Sequence, residues 1–205
     1  MAISCTNIQK SLEWCEGRPQ RPGIKRRAYY TNKQNIVTWP VLLRDANGRV
    51  TSAVLSGSFA LKADQTWKFI DFISAKSQLT SDPQGEYPSQ TQLNKLVMVH
   101  PGVGTEAAAA AAYLNNSDNV FLVEDMDGNF RVVGSELWQS VTTVSQDNGQ
   151  GPTGSAATTI SVEATDECPA PFYVGDIVTE DGTITPGSTP GQVNYQQQQA
   201  VQGGN

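Results

Sequence analysis

The segment that most constrains the fold is residues 141–175, which read VTTVSQDNGQGPTGSAATTISVEATDECPAPFYVG. β-Branched and polar residues alternate on both sides of residues 147–154, a tip that is rich in glycine. Period-two alternation on either side of a turn-forming stretch is typical of a β-hairpin. The segment therefore predicts a long hairpin with a flexible tip.

Shorter hairpins and single strands are predicted in the rest of the chain. The Asn47-Gly48 step separates two strand-like runs, and residues 125–128 separate another pair. An Asn-Gly step between such runs marks a hairpin turn. Residues 67–74 carry apolar side chains on both faces, which is typical of a strand covered on both sides or partly buried in an oligomer. The remaining predicted strands are residues 24–30, 35–40 and 93–100, and residues 58–62 are expected to continue the sheet.

One helix and one long loop complete the prediction of local structure. The alanine run from Glu106 to Leu114 is the strongest helix-forming segment, and Thr105 is its predicted cap. Residues 77–92 are polar and are interrupted by proline and glycine, which predicts an irregular loop. The fold class is therefore mainly β with one short α-helix.

The length of 205 residues suits one domain with extensions at both ends. We expect an extended arm over residues 1–23, a β-rich domain over residues 24–182 and a flexible, glutamine-rich tail over residues 183–205. The sequence shows neither a run of about 20 apolar residues nor a secretory signal, so we expect a soluble product made in the cytoplasm. The three cysteines, Cys5, Cys15 and Cys168, form no CxxC pair, which favours reduced thiols.

Charge is unevenly distributed along the chain. The net charge is −6, but residues 1–50 hold nine Lys and Arg against three acidic residues, whereas residues 51–205 hold five against seventeen. The two parts therefore carry +6 and −12, which sum to −6. Segregation of this kind bears on association and solubility rather than on fold, although solvated faces explain it as well.

No catalytic or metal-binding constellation is present. His100 is the only histidine, and no GxSxG motif accompanies it, so a structural histidine is expected. The acidic run at residues 124–129 lies between strands, which favours a turn over a calcium loop. Residues 101–105 lack the lysine of a P-loop. We therefore expect no enzyme activity and no cofactor.

A basic set near the start of the chain lies close to aromatic residues and is a candidate nucleic-acid face. The −12 charge of the rest of the chain argues against general nucleic-acid affinity. The basic residues are Arg18, Arg21, Lys25, Arg26 and Arg27, and the aromatic residues are Tyr29, Tyr30 and Trp39.

Several motifs between residues 14 and 175 resemble those of tail tube proteins from bacteriophages that infect Bacteroides-like bacteria. They are RPGIKRRAYY at residues 21–30, IVTWP at 36–40, Gly134, GPTG at 151–154, TTISV at 158–162 and PAPFY at 169–173. The resemblance implies two packed antiparallel sheets in a β-sandwich or barrel-like fold with a helix at the side. It also implies that six copies form a ring, that inner strands make a continuous β-barrel, and that rings stack head to tail into a tube that conducts DNA.

The resemblance implies partners rather than a reaction. These are other copies of the chain, other tail proteins, and phage DNA that passes without specific binding, in a virion assembled from subunits made in the host cytoplasm. We expect no membrane contact. The expected contacts between subunits involve the basic residues of the arm and first strand and the hairpin tip, which are Arg18, Arg21, Arg26, Arg27, Asn148, Gly149, Gly151 and Gly154.

Two alternatives stay open at this point. A tail terminator or neck protein would share the fold but stop at a single ring. A carbohydrate-binding β-sandwich would instead use exposed tryptophans as stacking platforms, and the chain offers Trp14, Trp39, Trp67 and Trp138.

Overall fold

The computed structural model describes residues 7–17 and 19–187, and this part of the chain is built mainly from strands. Two short 3₁₀ turns, Lys33–Asn35 and Ser74–Lys76, and one α-helix, α1 (Thr105–Leu114), accompany them. The strands are β1 (Ile24–Asn32), β2 (Ile36–Thr38), β3 (Val41–Arg44), β4 (Val50–Ser56), β5 (Ala60–Leu61), β6 (Lys68–Asp71), β7 (Gln78–Gln84), β8 (Thr91–Pro101), β9 (Asn119–Asp125), β10 (Phe130–Val133), β11 (Val141–Asp147), β12 (Ala157–Asp166), β13 (Phe172–Tyr173), β14 (Ile177–Thr179) and β15 (Gly182–Ile184).

Two large sheets organise these strands. The seven-stranded sheet has the order β3-β4-β13-β10-β9-β1-β6, and the four-stranded sheet has the order β11-β12-β8-β7. All pairs in them are antiparallel except β13 with β4. Two-stranded sheets β2-β5 and β14-β15 complete the described part. The predicted fold class, mainly β with one helix and a sandwich-like arrangement of sheets, is confirmed, and no barrel closes within the described residues.

The interior strand β9 is buried on both faces and so separates two hydrophobic cores. Phe121 and Val123 point into the core between the two large sheets, together with Leu96 and Met98 of β8. Val120 and Leu122 point the other way, into a core with members from β4 and β14 and from the loops before β6. Alternation along an extended strand places successive side chains on opposite faces, so one apolar run serves both cores.

The predicted hairpins are confirmed. β11 pairs with β12 in continuous register from Val141 opposite Glu163 to Asp147 opposite Ala157. β3 pairs with β4, and β9 pairs with β10. The turn between β9 and β10 is closed by the Asp125 carboxylate, which accepts backbone N–H bonds from Asp127 and Asn129. The acidic run at residues 124–129 is therefore a turn, as predicted.

Three local predictions were wrong. Residues 77–92 form most of a hairpin, β7 with β8, rather than an irregular loop. Pro83 argued against a strand because proline has no N–H to donate to a neighbouring strand. β7 is an edge strand, however, and proline is tolerated there. Residues 60–61 pair with β2 in a separate sheet. The cap of α1 is Gly104 rather than Thr105, and no side chain caps the helix.

The first strand begins at Ile24, next to the predicted end of the arm, whereas the last strand passes the other predicted boundary. Residues 7–17 and 19–23 form neither helix nor strand and are exposed. At the other end, β15 continues past the expected boundary at residue 182, and Ile184 packs against the second core. The predicted glutamine-rich stretch lies outside the described residues.

The segregation of charge along the sequence does not persist in space. β1 lies between β9 and β6, so its cations meet carboxylates that are distant in sequence. Lys25 Nζ is 2.6 Å from Glu124 Oε1, and Arg44 of β3 pairs with Glu167. Much of the basic excess of the first fifty residues is thus balanced within the subunit.

A buried carboxyl group makes stability depend on pH. Asp166 lies at the end of β12, and burial raises its pKa to about 6, although it accepts a 2.7 Å bond from the backbone N–H of Glu167. A pKa above the unfolded value means that the folded state prefers the protonated acid, so stability falls as the pH rises from about 4 past 6.

Asp166→Asn should therefore raise the free energy of unfolding by roughly 1–3 kcal/mol at about pH 8 and change it little at about pH 4. Urea denaturation at the two pH values measures this difference. Glu167→Gln is the matched control, because it removes a carboxylate paired with Arg44 and should not stabilise the protein. A stabilisation of Asp166→Asn that is equal at both pH values would contradict the assignment.

Candidate assembly surface

The four-stranded sheet has one apolar and one polar side. Its inner residues, including Leu96, Met98, Ile160 and Val162, enter the core between the sheets. Alternation then directs the intervening residues outward. We call this outer side the polar face, and it consists of Gln78, Thr80, Asp82, Gln84, Leu93, Lys95, Val97, Val99, Val141, Thr143, Ser145, Asp147, Ala157, Thr159, Ser161, Glu163 and Thr165.

Hydroxyl and amide groups are the largest class on the polar face, and carboxylates outnumber cations among its few charged groups. Lys95 lies opposite Glu163 in the register of β8 and β12, and its Nζ is 3.8 Å from Asp82 Oδ2. With Asp147 at the end of β11, the face carries one cation and three anions. The face therefore offers no basic surface to a nucleic acid.

Both outer strands of this sheet have an edge without a strand partner in the described part of the chain. β7 pairs only with β8, and β11 pairs only with β12. One position on the edge of β11 is filled, because the Val144 N–H donates a 2.6 Å bond to Asn115 Oδ1 at the end of α1. The remaining edge groups can pair with another chain, which is the usual hazard of an open edge.

The tip of the long hairpin is compact. We use the term hairpin tip for residues 148–156. The Gly149 N–H donates a 2.8 Å bond to Asp147 Oδ1, and a Cβ on Gly154 would lie 2.4 Å from the Gln150 nitrogen. A side chain at Gly154 is therefore impossible without moving the loop. The glycines of the tip allow one side of the loop to pack closely against the other.

Hydrogen bonds connect the base of the hairpin tip to the corner where the arm enters β1. Thr158 Oγ1 donates a 2.8 Å bond to the carbonyl of Gly102, the residue that follows the end of β8. The Ile73 N–H donates to the Val99 carbonyl at 2.8 Å, and Ser74 Oγ donates to the carbonyl of Ile24. The arm and the hairpin tip therefore leave the body from the same region.

The predicted contact residues fall into two groups. Asn148, Gly149, Gly151 and Gly154 all lie in the hairpin tip, as the sequence indicated. The basic residues differ from one another. Arg21 Nε is 3.9 Å from Asp127 Oδ1, Arg26 is exposed, and Arg18 lies outside the described residues.

Arg27 is engaged within the subunit. Its Nε and second terminal nitrogen donate to the two carboxylate oxygens of Asp71 at 2.6 and 2.8 Å, and its guanidinium lies 3.9 Å from the centre of the Phe69 ring. Hydrogen bonding from Arg27 holds the pKa of Asp71 below its usual value. A neighbouring subunit would have to compete with this bidentate pair to use Arg27.

The sequence prediction missed the polar face altogether. Thr143, Ser145, Thr159, Ser161 and Thr165 recur at every second position and gave a usable signal. Leu93, Val97 and Val99 concealed it in β8, because apolar residues also occupy the outer side of that strand. The prediction of a loop at residues 77–92 also left β7, the fourth strand of this sheet, unrecognised.

Other candidate sites have structural roles. His100 Nδ1 is 2.7 Å from the carbonyl oxygen of Asp71, which links β8 to β6 as expected of a structural histidine. Within residues 7–17 and 19–187, no three His, Cys, Asp or Glu side chains are grouped so as to hold a metal. No helix in the same residues is long and apolar enough to cross a membrane.

The tryptophans give little support to a glycan-binding surface. Trp67 is buried in the second core, and Trp39 packs edge-on against Phe59 with ring centroids 5.4 Å apart. Trp14 is largely exposed, but it lies in the arm rather than on a sheet. A stacking platform needs an accessible aromatic face on a rigid support.

Comparison of the chain with models of protein families, with curated proteins and with solved structures returned no match.

Proposed function

We propose that this protein is a structural subunit that assembles into rings and tubes, in the manner of a phage tail tube protein, and that the tube conducts DNA in the virion. The observation that carries the proposal is the four-stranded sheet. It combines a polar outer face with an unpaired strand edge on each side. Copies that join β11 of one subunit to β7 of the next would extend the sheet without burying charge.

The dimensions of such a ring suit a conduit. Six subunits, the number that the resemblance implies, would contribute about 24 strands at a spacing of about 4.8 Å. With a strand tilt of about 40°, the closed barrel would measure about 48 Å across its backbone. Barrels with fewer strands already enclose aqueous channels. Side chains on the polar face would leave a channel wide enough for a DNA duplex.

The polar face has the chemistry that passage of DNA requires. A basic lining would bind the phosphate backbone by releasing counterions and would hold the DNA in place. Hydroxyl groups with a small excess of carboxylates bind phosphate weakly, and Lys95 is balanced by its carboxylate neighbours Asp82 and Glu163. DNA would therefore slide along this lining without a specific register.

Stacking of rings needs contacts in a second direction. The hairpin tip and the arm extend from one region of the body, so they can reach a neighbouring subunit while the sheets join laterally. A heterologous contact that does not close on itself generates a filament. The proposed subunit therefore uses strand edges within a ring and projecting segments between subunits.

Negative-stain electron microscopy of the purified full chain, with light scattering in parallel, tests this proposal. Rings and tubes with a stain-filled channel are the expected result. Single rings that never stack would favour a terminator or neck role. A protein that stays monomeric up to high concentration would contradict the proposal.

A further inference from the structure

The arm carries an unused amphipathic pattern. Ile8, Lys10, Leu12 and Trp14 occupy even positions, whereas the odd positions from Asn7 to Glu13 are polar. In an extended chain the even residues would share one face. Leu12 is 99% exposed and Trp14 is 70% exposed, so the apolar residues of this face are not buried on their own subunit. A period-two pattern with an exposed apolar face is typical of a strand that pairs with the edge of a sheet.

An apolar sheet edge of matching character lies at β3. This strand pairs only with β4 among the described residues, and Val41 is 58% exposed on it. Leu43 of the same strand is 49% exposed. Soluble proteins usually protect an edge of this kind with charge or cover it.

A groove next to β3 offers further apolar contact. It has a volume of about 170 Å³ and is lined by Val41, Leu42, Leu55 and Leu137, and Leu137 is largely exposed. The charged residues at this groove are Arg44, Glu136, Asp166 and Glu167, and Arg44 pairs with Glu167, which leaves an excess of carboxylates. The arm places Lys10 on the same face as Leu12, so the charge of the arm complements the groove.

The other edges of the large sheets are less suitable. On the outer edge of β6, His100 binds the carbonyl of Asp71, and just before the strand the Trp67 N–H donates to the carbonyl of Val178. β7 and β11 expose mainly hydroxyl, amide and carboxylate side chains. Of these edges in the described part of the chain, β3 is the one that presents apolar side chains together with open ladder positions.

The arm and β3 lie far apart on one subunit. The arm enters β1, which is five strand positions from β3, or about 24 Å at the usual spacing. In the structure, Leu12 and Trp14 are exposed, so the arm does not cover β3 of its own subunit. A subunit that carries the arm on one side and the open edge of β3 on the other is suited to a heterologous contact between copies.

We propose that the arm of one subunit adds as a strand to edge β3 of a second copy, with Leu12 and Trp14 covering the exposed side of Val41 and the groove beside it. This inference deepens the proposed function and rests on self-assembly of the chain. Main-chain bonds to the open edge supply affinity, and the alternate apolar side chains supply register.

Crosslinking through Cys15 tests the contact. Cys15 is an exposed thiol in the arm, whereas Cys168 is buried, which raises its pKa to about 12 and makes it unreactive. In a Cys5→Ser background, Val41→Cys is treated with a short bismaleimide under conditions in which the protein assembles. The expected product is a ladder of covalent multimers.

Val141→Cys is the matched control, since Val141 is a valine on an edge strand with 56% exposure. It should give a multimer yield about tenfold lower, and Leu12→Asp should lower the Val41→Cys yield about tenfold. Crosslinking within one chain, or equal yields from Val41→Cys and Val141→Cys, would overturn the inference. Tubes that form without any Cys15 to Val41→Cys product would overturn it while leaving the proposed function intact. A protein that remains monomeric would contradict both.

Discussion

Replacing residues 148–156 with Asn-Gly should give a folded subunit that no longer forms tubes. Asp147 and Ala157 are directly paired, so a two-residue type I′ turn can connect β11 to β12 without changing their register. The body loses the bond between the Gly102 N–H and the Ala156 carbonyl, which is a minor contribution. Thermal denaturation should change by a few degrees at most, whereas electron microscopy should show no tubes.

A single methyl group provides a sharper version of this experiment. Gly154→Ala would place a Cβ 2.4 Å from the Gln150 nitrogen and force the hairpin tip to rearrange. Gly104→Ala is the control, because a Cβ there meets nothing within 4 Å. We expect Gly154→Ala to reduce tube formation and Gly104→Ala to preserve it. Normal tubes from the Asn-Gly variant would show that the hairpin tip has no part in assembly.

The second large effect is on stability. Phe121 is fully buried between the two large sheets and stacks on Tyr30 with ring centroids 5.8 Å apart. Phe121→Ala removes this contact and leaves a cavity, so we expect a loss of about 3–5 kcal/mol in the free energy of unfolding. That is a large part of the total for a body of this size. Urea denaturation measures the loss.

The contact between Phe121 and Tyr30 also helps to hold α1 against the body of the protein. Tyr30 Oη and Tyr113 Oη are 2.7 Å apart, so the stacked ring also fixes the exposed helix to β1. Phe121→Leu keeps most of the volume and should cost roughly 1 kcal/mol. Val178→Ala, at an exposed strand position, should cost less than about 0.5 kcal/mol. A loss below about 1 kcal/mol for Phe121→Ala would contradict the central place of β9 in the fold.

The strands with strong local signals were predictable from the sequence. Asn47-Gly48 marked the turn between β3 and β4, and the alternation around residues 147–154 marked β11 and β12. The alanine run gave the limits of α1, although not its cap. These features depend on residues close together in the chain, so sequence patterns record them directly.

Features that depend on pairing between distant segments were not predictable in the same way. β7 is recognisable as a strand only once β8 lies beside it, and Pro83 is acceptable only because that strand is at an edge. Likewise, the pairing of Arg27 with Asp71 follows from the neighbouring positions of β1 and β6. The polar face and the apolar edge at β3 exist only after the order of the strands is known.

The accessibility of Ser161 in the assembled protein tests the central claim most directly, that the polar face lines a closed channel. Ser161 lies on β12 opposite Val97 and Thr143, in the middle of this face. Ser161→Cys, made with Cys5→Ser and Cys15→Ser, should react in the monomer with a small maleimide and with a large polymer-linked maleimide alike. After assembly, the small reagent should still react through the channel, and the large one should be excluded. Equal reaction of the large reagent before and after tube formation would place this face on the outside and contradict the account.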